Sequence, residues 1–274
     1  MSRLATFAVL ACALVAPWAY AQTSPSTPKN NSEPQTKSTG PSQNPREIAE
    51  LRGDILMAQK LFPEAIAMYL KLLKDDPHNS MLLNKVGVAY QQEGLAEKAA
   101  HYYKDAVKAD KKNASALNNL GSIEYGKNKY RRAIRYYKEA LAARSDMAVV
   151  YSNLGYAYFG DKKYPEAMNS FERALVLDPN VFERRGGAGA VVQQRSITDP
   201  GLFYFFVAKT FALSGDAEQA AHYLKMARDE GYKNVASAQQ DPDFKKVLSD
   251  PRVQEILQNP TSSVADGAKP SPKQ

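Results

Sequence analysis

The sequence predicts an all-α fold, a solenoid of about five helical hairpins closed by a C-terminal capping helical segment. Three observations predict it. Gly53, Gly87, Gly121 and Gly155 stand 34 residues apart. Twelve residues after each comes an alanine (Ala65, Ala99, Ala133, Ala167), and four further on an aromatic (Tyr69, Tyr103, Tyr137, Phe171). Each stretch also carries two apolar stripes at helical spacing, so one unit is a pair of antiparallel helices.

The elements follow in chain order. Residues 1–21 read as a cleaved secretory signal: Arg3 precedes an apolar run, Leu4 to Ala16, too short for a bilayer span, and Ala19-Tyr20-Ala21 is a signal-peptidase site. Cys12, the only cysteine, lies inside that signal. It is either discarded with the peptide or, since Val9-Leu10-Ala11-Cys12 resembles a bacterial lipobox, lipidated. Without it, disulfide, thiolate-metal and cysteine-nucleophile chemistry are excluded. Residues 22–45 hold no large apolar side chain and read as a disordered polar linker.

Four units come next, 46–79, 80–113, 114–147 and 148–181. The turn between their helices falls at the fifteenth position, where Gly94 and Asn128 (and Gly215 later) tolerate a left-handed backbone. Pro63 and Pro165 enter the first turn of a second helix, and Asp76-Pro77 and Asp178-Pro179 end one. Arg52 stands where later units have Val86, Leu120 and Leu154, which predicts a polar outer face on the first unit. An inserted loop, 182–200, interrupts the array before a fifth, degenerate unit, 201–234, with Ala208, Ala220, Leu224 and Ala227 in register. Two Asp-Pro steps in 235–258 predict a short helical pair as the cap, and 259–274 reads as a disordered tail.

The pattern Gly-x11-Ala-x3-aromatic-x2-Ala/Leu at this period resembles the tetratricopeptide repeat (TPR). The resemblance implies a right-handed TPR α-solenoid, no enzymatic activity, no cofactor, and a protein or peptide partner held in the concave groove lined by the first helices. Its groove positions fall here on Asn84, Val88, Gln91, Asn118, Ser122, Tyr125, Ser152, Tyr156, Phe159 and Phe205. Amides there suit the backbone of an extended ligand, and aromatics offer apolar contact. Lys and Arg, which chaperone-binding members use to clamp a terminal carboxylate, are missing from these positions in units two to four.

Residues 118–141 interleave six Lys or Arg with four Tyr, as a single-stranded nucleic-acid surface would. In the repeat register the aromatics and cations point different ways, Tyr130 and Tyr137 inward and Arg131, Arg132, Arg135 and Lys138 outward. The reading is therefore no nucleic acid. The basic outer face of units two and three instead offers an alternative function, contact with anionic lipid or envelope polymer, by a surface-associated or lipid-anchored form. Membrane contact is compatible with the main reading but not required by it. His78, His101 and His222 lack metal-ligand spacing, and Gly186-Gly187-Ala188-Gly189 lacks the Lys-Ser/Thr of a phosphate loop. The sequence therefore predicts a non-enzymatic, exported interaction module of the bacterial envelope, periplasmic or associated with the outer membrane.

Overall fold

The computed structural model describes residues 44–182, 197 and 199–259, all within the unit Gln43–Gln274. The signal, nearly all of the linker, most of the insertion and the tail expected from sequence lie outside these residues. The described chain is all helical. Its α-helices are α1 (Pro45–Ala58), α2 (Phe62–Asp75), α3 (Ser80–Gln92), α4 (Ala96–Ala109), α5 (Ala114–Gly126), α6 (Tyr130–Ala143), α7 (Ala148–Gly160), α8 (Tyr164–Leu177), α9 (Pro200–Ser214), α10 (Ala217–Asp229) and α11 (Pro251–Gln258). They pack as the hairpins α1–α2, α3–α4, α5–α6, α7–α8 and α9–α10, each resting on its sequence neighbours, the arrangement of a solenoid.

One device repeats at every hairpin turn. The amide of the sixteenth residue bonds back five residues, Leu61 to Leu56, Leu95 to Tyr90, Lys129 to Glu124 and Lys163 to Tyr158, all at 2.9 Å. This satisfies a carbonyl the helix end leaves open, and it requires the preceding residue to take positive φ. Gly94 (76°) and Asn128 (56°) comply as their residue types allow, but Lys60 and Lys162 (61° each) are forced into the same conformation. The register rather than the side chain dictates that geometry.

The repeated glycine and aromatic belong together within one unit. A Cβ placed on Gly53, Gly87, Gly121 or Gly155 would lie 2.3–2.5 Å from the ring of Tyr69, Tyr103, Tyr137 or Phe171 in the same hairpin. The ring's Cε1 edge therefore presses on the first helix at the glycine, and only glycine leaves room for it. All four rings are buried.

The cap differs from the expected helical pair. Only its second half is an α-helix, α11, with Asp250 accepting from the Arg252 amide at its start. The first Asp-Pro step opens a single 3-10 turn, Pro242–Phe244, preceded by another, Val235–Gln239. Phe244, Val247, Val253 and Ile256 bury their side chains against the array's last hairpin, so the segment closes that end without a sixth hairpin.

At the other end the expected polar face is wrong in composition. Arg52 is exposed as predicted, yet Leu51 and Ile55 beside it are 59% and 47% exposed. Sequence comparison by register looked at the seventh position and overlooked the sixth and tenth.

Candidate partner-binding surface

The first helices of units two to four, α3, α5 and α7, carry the groove positions expected from sequence. Their polar side chains form a row that crosses from helix to helix. Asn119 donates to Asn84 Oδ1 across 3.1 Å, and Asn153 donates to Asn118 Oδ1 across 2.8 Å. A long 3.5 Å contact from Asn118 to Asn119 links the two pairs. Each step joins the sixth position of one unit to the fifth of the unit before. Asn153 is fully buried and its Oδ1 has no hydrogen-bond partner among the described residues. Asn84, Asn118 and Asn119 remain half-buried and accessible.

The ten predicted groove residues divide into two groups. Asn84, Val88, Gln91 and Asn118 are half-buried, so they offer surface. Ser122, Tyr125, Ser152, Tyr156, Phe159 and Phe205 are buried, which corrects the expectation that they present contact surface to a partner. The cause is packing against the second helix of the same hairpin and the first helix of the next. Tyr125 meets Tyr130 edge-on at 5.4 Å, Tyr156 stacks on Phe203 at 5.1 Å, and Phe159 sits edge-on to Tyr164 and Phe203. Phe205 lies under Tyr232, which follows α10, and Phe244 of the cap, with centroids 4.7 and 5.6 Å away. Lys209, one turn on, is held by Asp241 (2.7 Å) and Asp243 (2.9 Å). Burial opposes its charge, but those hydrogen bonds outweigh burial and hold its pKa above the ordinary lysine value. The C-terminal segment thus covers the face of the fifth unit, and the accessible part of the row ends at Asn118 and Asn119 of the third.

One hollow adjoins the row at Asn84, and a second lies at the hairpin turns of units three and four. The first, of about 400 Å³, is bordered by Met81, Asn84, Lys85, Asn113, Ser115 and Arg144. The other, of about 260 Å³, lies between Tyr125, Tyr130, Phe159, Tyr164 and Leu202, with Lys162 and Asp199 also at its wall. Gln91 accepts from the Tyr103 hydroxyl at 2.7 Å, which fixes its amide on this face. Burial pushes the Tyr103 phenol well above the ordinary tyrosine value, so it stays a neutral donor.

Sequence reasoning missed Asn119 and Asn153. The signal was present: the two asparagines stand 34 residues apart at the sixth position. It also left out the first unit, where Lys85 bridges Glu50 and Asp54 at 2.7 Å and the Tyr69 hydroxyl donates to Asp54 at 2.6 Å. Burial works against the Lys85 charge, and the bonds to Asp54 and Glu50 more than restore it. Among the described residues, no group of three or more His, Cys, Asp or Glu is placed to hold a metal ion.

A family model for the tetratricopeptide repeat matches residues 84–127 and 118–181. No curated protein sequence matches the chain. Solved structures do. The crystal structure of MamA is 26% identical and covers 66% of this chain and 95% of its own, with a TM-score of 0.47. PilF from Pseudomonas aeruginosa is 19% identical over 78% of this chain and 91% of its own, with a TM-score of 0.50, a likeness of fold. YrrB, described as a TPR protein with an unusual peptide-binding site, is 16% identical over 70% and 91%, with a TM-score of 0.46. Overlapping matches to the repeat model, on helix pairs stacked with a 34-residue period, identify residues 84–181 as tetratricopeptide repeats.

Proposed function

We propose that the protein is exported to the bacterial envelope and there binds an extended peptide or a partner helix along its concave groove, without catalysis. The asparagine row carries this reading. Asn84, Asn118 and Asn119 expose carboxamides that have both a donor and an acceptor, the chemistry that pairs with a ligand's main chain. Val88, half-buried on the same helix as Asn84, supplies apolar contact beside it. Charge is sparse along the row, so an extended backbone is a better ligand for it than a terminal carboxylate. The buried aromatics Tyr125, Tyr156 and Phe159 support the row from beneath rather than touching the ligand. Export rests on Arg3, the apolar run after it and Ala19-Tyr20-Ala21.

Affinity capture from an envelope extract tests the proposal, with the protein beside a variant carrying Asn84→Ala, Gln91→Ala and Asn118→Ala. Circular dichroism checks that the variant folds, since Gln91 and Asn118 accept hydrogen bonds from buried Tyr103 and Asn153. Loss of the captured protein from the folded variant supports the groove. Retention by both moves the binding surface elsewhere.

One observation favours the outer face as a second surface. Lys98, Lys104 and Lys108 on α4 and Arg131, Arg135 and Lys138 on α6 are all exposed. The acidic groups among them are fewer: Glu97 lies 2.7 Å from Lys127, Asp105 3.4 Å from His101, and Glu139 3.7 Å from Arg135. Such a face attracts anionic lipid or polymer at low ionic strength. Absence of binding to anionic vesicles in low salt removes this reading.

A further inference from the structure

Every inner unit turns the third, seventh and tenth residues of its first helix against the unit before it. Leu82, Val86 and Ala89 are buried there, as are Ala116, Leu120 and Ile123, and Val150, Leu154 and Ala157. The first unit has no preceding unit, and its corresponding face on α1 is Ile48, Arg52 and Ile55, with Leu51 alongside. Ile48 is half-buried, while Leu51 and Ile55 are the exposed apolar residues noted above. An end built to face water would place charge at all of these positions, as terminal repeats require for solubility. This end keeps an apolar stripe instead, and stripes of that kind mark interaction surfaces.

The rest of the chain offers little to cover it. Outside the described residues, 22–43, 183–196 and 260–274 contain no Leu, Ile, Met or aromatic residue. Only 1–21 do, and those belong to the segment expected to be removed on export. The stripe itself indicates another occupant. Ile48, Leu51, Ile55 and Ala58 are spaced three, four and three residues apart, the alternation of a coiled-coil seam. Isoleucine takes the first core position of both heptads, and Leu51 and then Ala58 take the second; isoleucine at the first position with leucine at the second is the preference of a parallel two-stranded pair. Flanking the seam, Glu47 and Arg52 stand five residues apart, the separation at which parallel helices exchange charge between copies. Both are exposed.

We propose that the outer face of α1 is a self-association seam. Two copies pair their α1 helices in parallel, burying Ile48, Leu51 and Ile55 and setting Glu47 of each copy against Arg52 of the other. The occupant of this face is a second copy of the chain. An antiparallel pair would place the two Arg52 side chains near each other, so charge selects the parallel arrangement. The seam is two heptads long. So short a seam makes a weak dimer that depends on concentration, with a dissociation constant of about 10–100 μM.

Sedimentation equilibrium of the full chain across that range tests the proposal, beside Leu51→Lys with Ile55→Lys, and the charge swaps Glu47→Arg and Arg52→Glu made singly and together. Circular dichroism confirms folding, which these exposed substitutions spare. The proposal expects a monomer–dimer equilibrium that the two lysines abolish. Each single swap weakens it roughly two- to fivefold, and the double swap restores it. A monomer throughout overturns the proposal. So does association untouched by the lysines, or a double swap no stronger than the single ones. Pairing through residues 1–21 would ignore all of these changes and count against it.

Discussion

The ring of Phe171 lies on the backbone of Gly155 so closely that a Cβ there would stand 2.3 Å from Cε1. The same contact recurs with tyrosine in the three preceding units, and it sets how near the two helices of a hairpin approach. The fifth unit shows the alternative. Ala208 replaces the glycine, and the residue sixteen further on is Leu224, not an aromatic. Both are fully buried. Glycine and ring are exchanged as a pair.

Gly155→Ala is therefore expected to destabilise the protein by about 1–3 kcal/mol, the usual cost of overpacking. Gly155→Ala combined with Phe171→Leu recovers part of that loss, because leucine has no ring edge to clash. Urea denaturation of the three proteins reads both effects, and strict additivity of the two substitutions would contradict the pairing.

Lys162 takes positive φ, where a side chain is strained. Lys162→Gly relieves the strain and should raise stability by up to about 1 kcal/mol, net of the entropy glycine adds to the unfolded chain. The same change at Gln59, whose φ is an ordinary −79°, should not. A midpoint that falls for Lys162→Gly would show that the turn is held by other means.

Lys209→Met removes the cation between Asp241 and Asp243 and leaves two partly buried carboxylates facing each other. Hydrogen exchange should rise first in residues 235–248, with an overall loss of about 1–2 kcal/mol. Uniform exchange across the array would mean the segment is not a separable cap.

The pH dependence has a sign at each end. Lys209 and Lys85 have raised pKa values, so their contribution is complete below the unfolded lysine value of about 10.4 and fades as pH rises through the folded values. Hydrogen bonds from Asn79 and then Arg46 hold the Asp76 carboxyl below its ordinary range. Its contribution is present above about pH 3.9 and is lost as pH falls through the lowered value. Thermal scans should show a plateau between these limits. Asp76→Asn should flatten only the acid side.

The repeat was legible because packing at close range permits few residue types: glycine under a ring, alanine between helices. The groove was less so. Helical spacing places Tyr125 on one face of α5 and Tyr156 and Phe159 on one face of α7, but whether those faces are open depends on neighbours 5 to 47 residues away, such as Tyr130, Tyr164 and Phe203. Phe205 is closed by the cap, whose path over α9 no local pattern reveals. Lys60 and Lys162 hid their turn geometry behind an ordinary residue type, although Gly94 and Asn128 in the same register disclosed it.

Hydrogen exchange of the protein with and without its captured partner tests the central claim most directly. The account predicts new protection in α3 and α5 around Asn84, Gln91 and Asn118, with α4 and α6 unchanged. Protection confined to the outer faces of α4 and α6, with the asparagine row still exchanging freely, would contradict it.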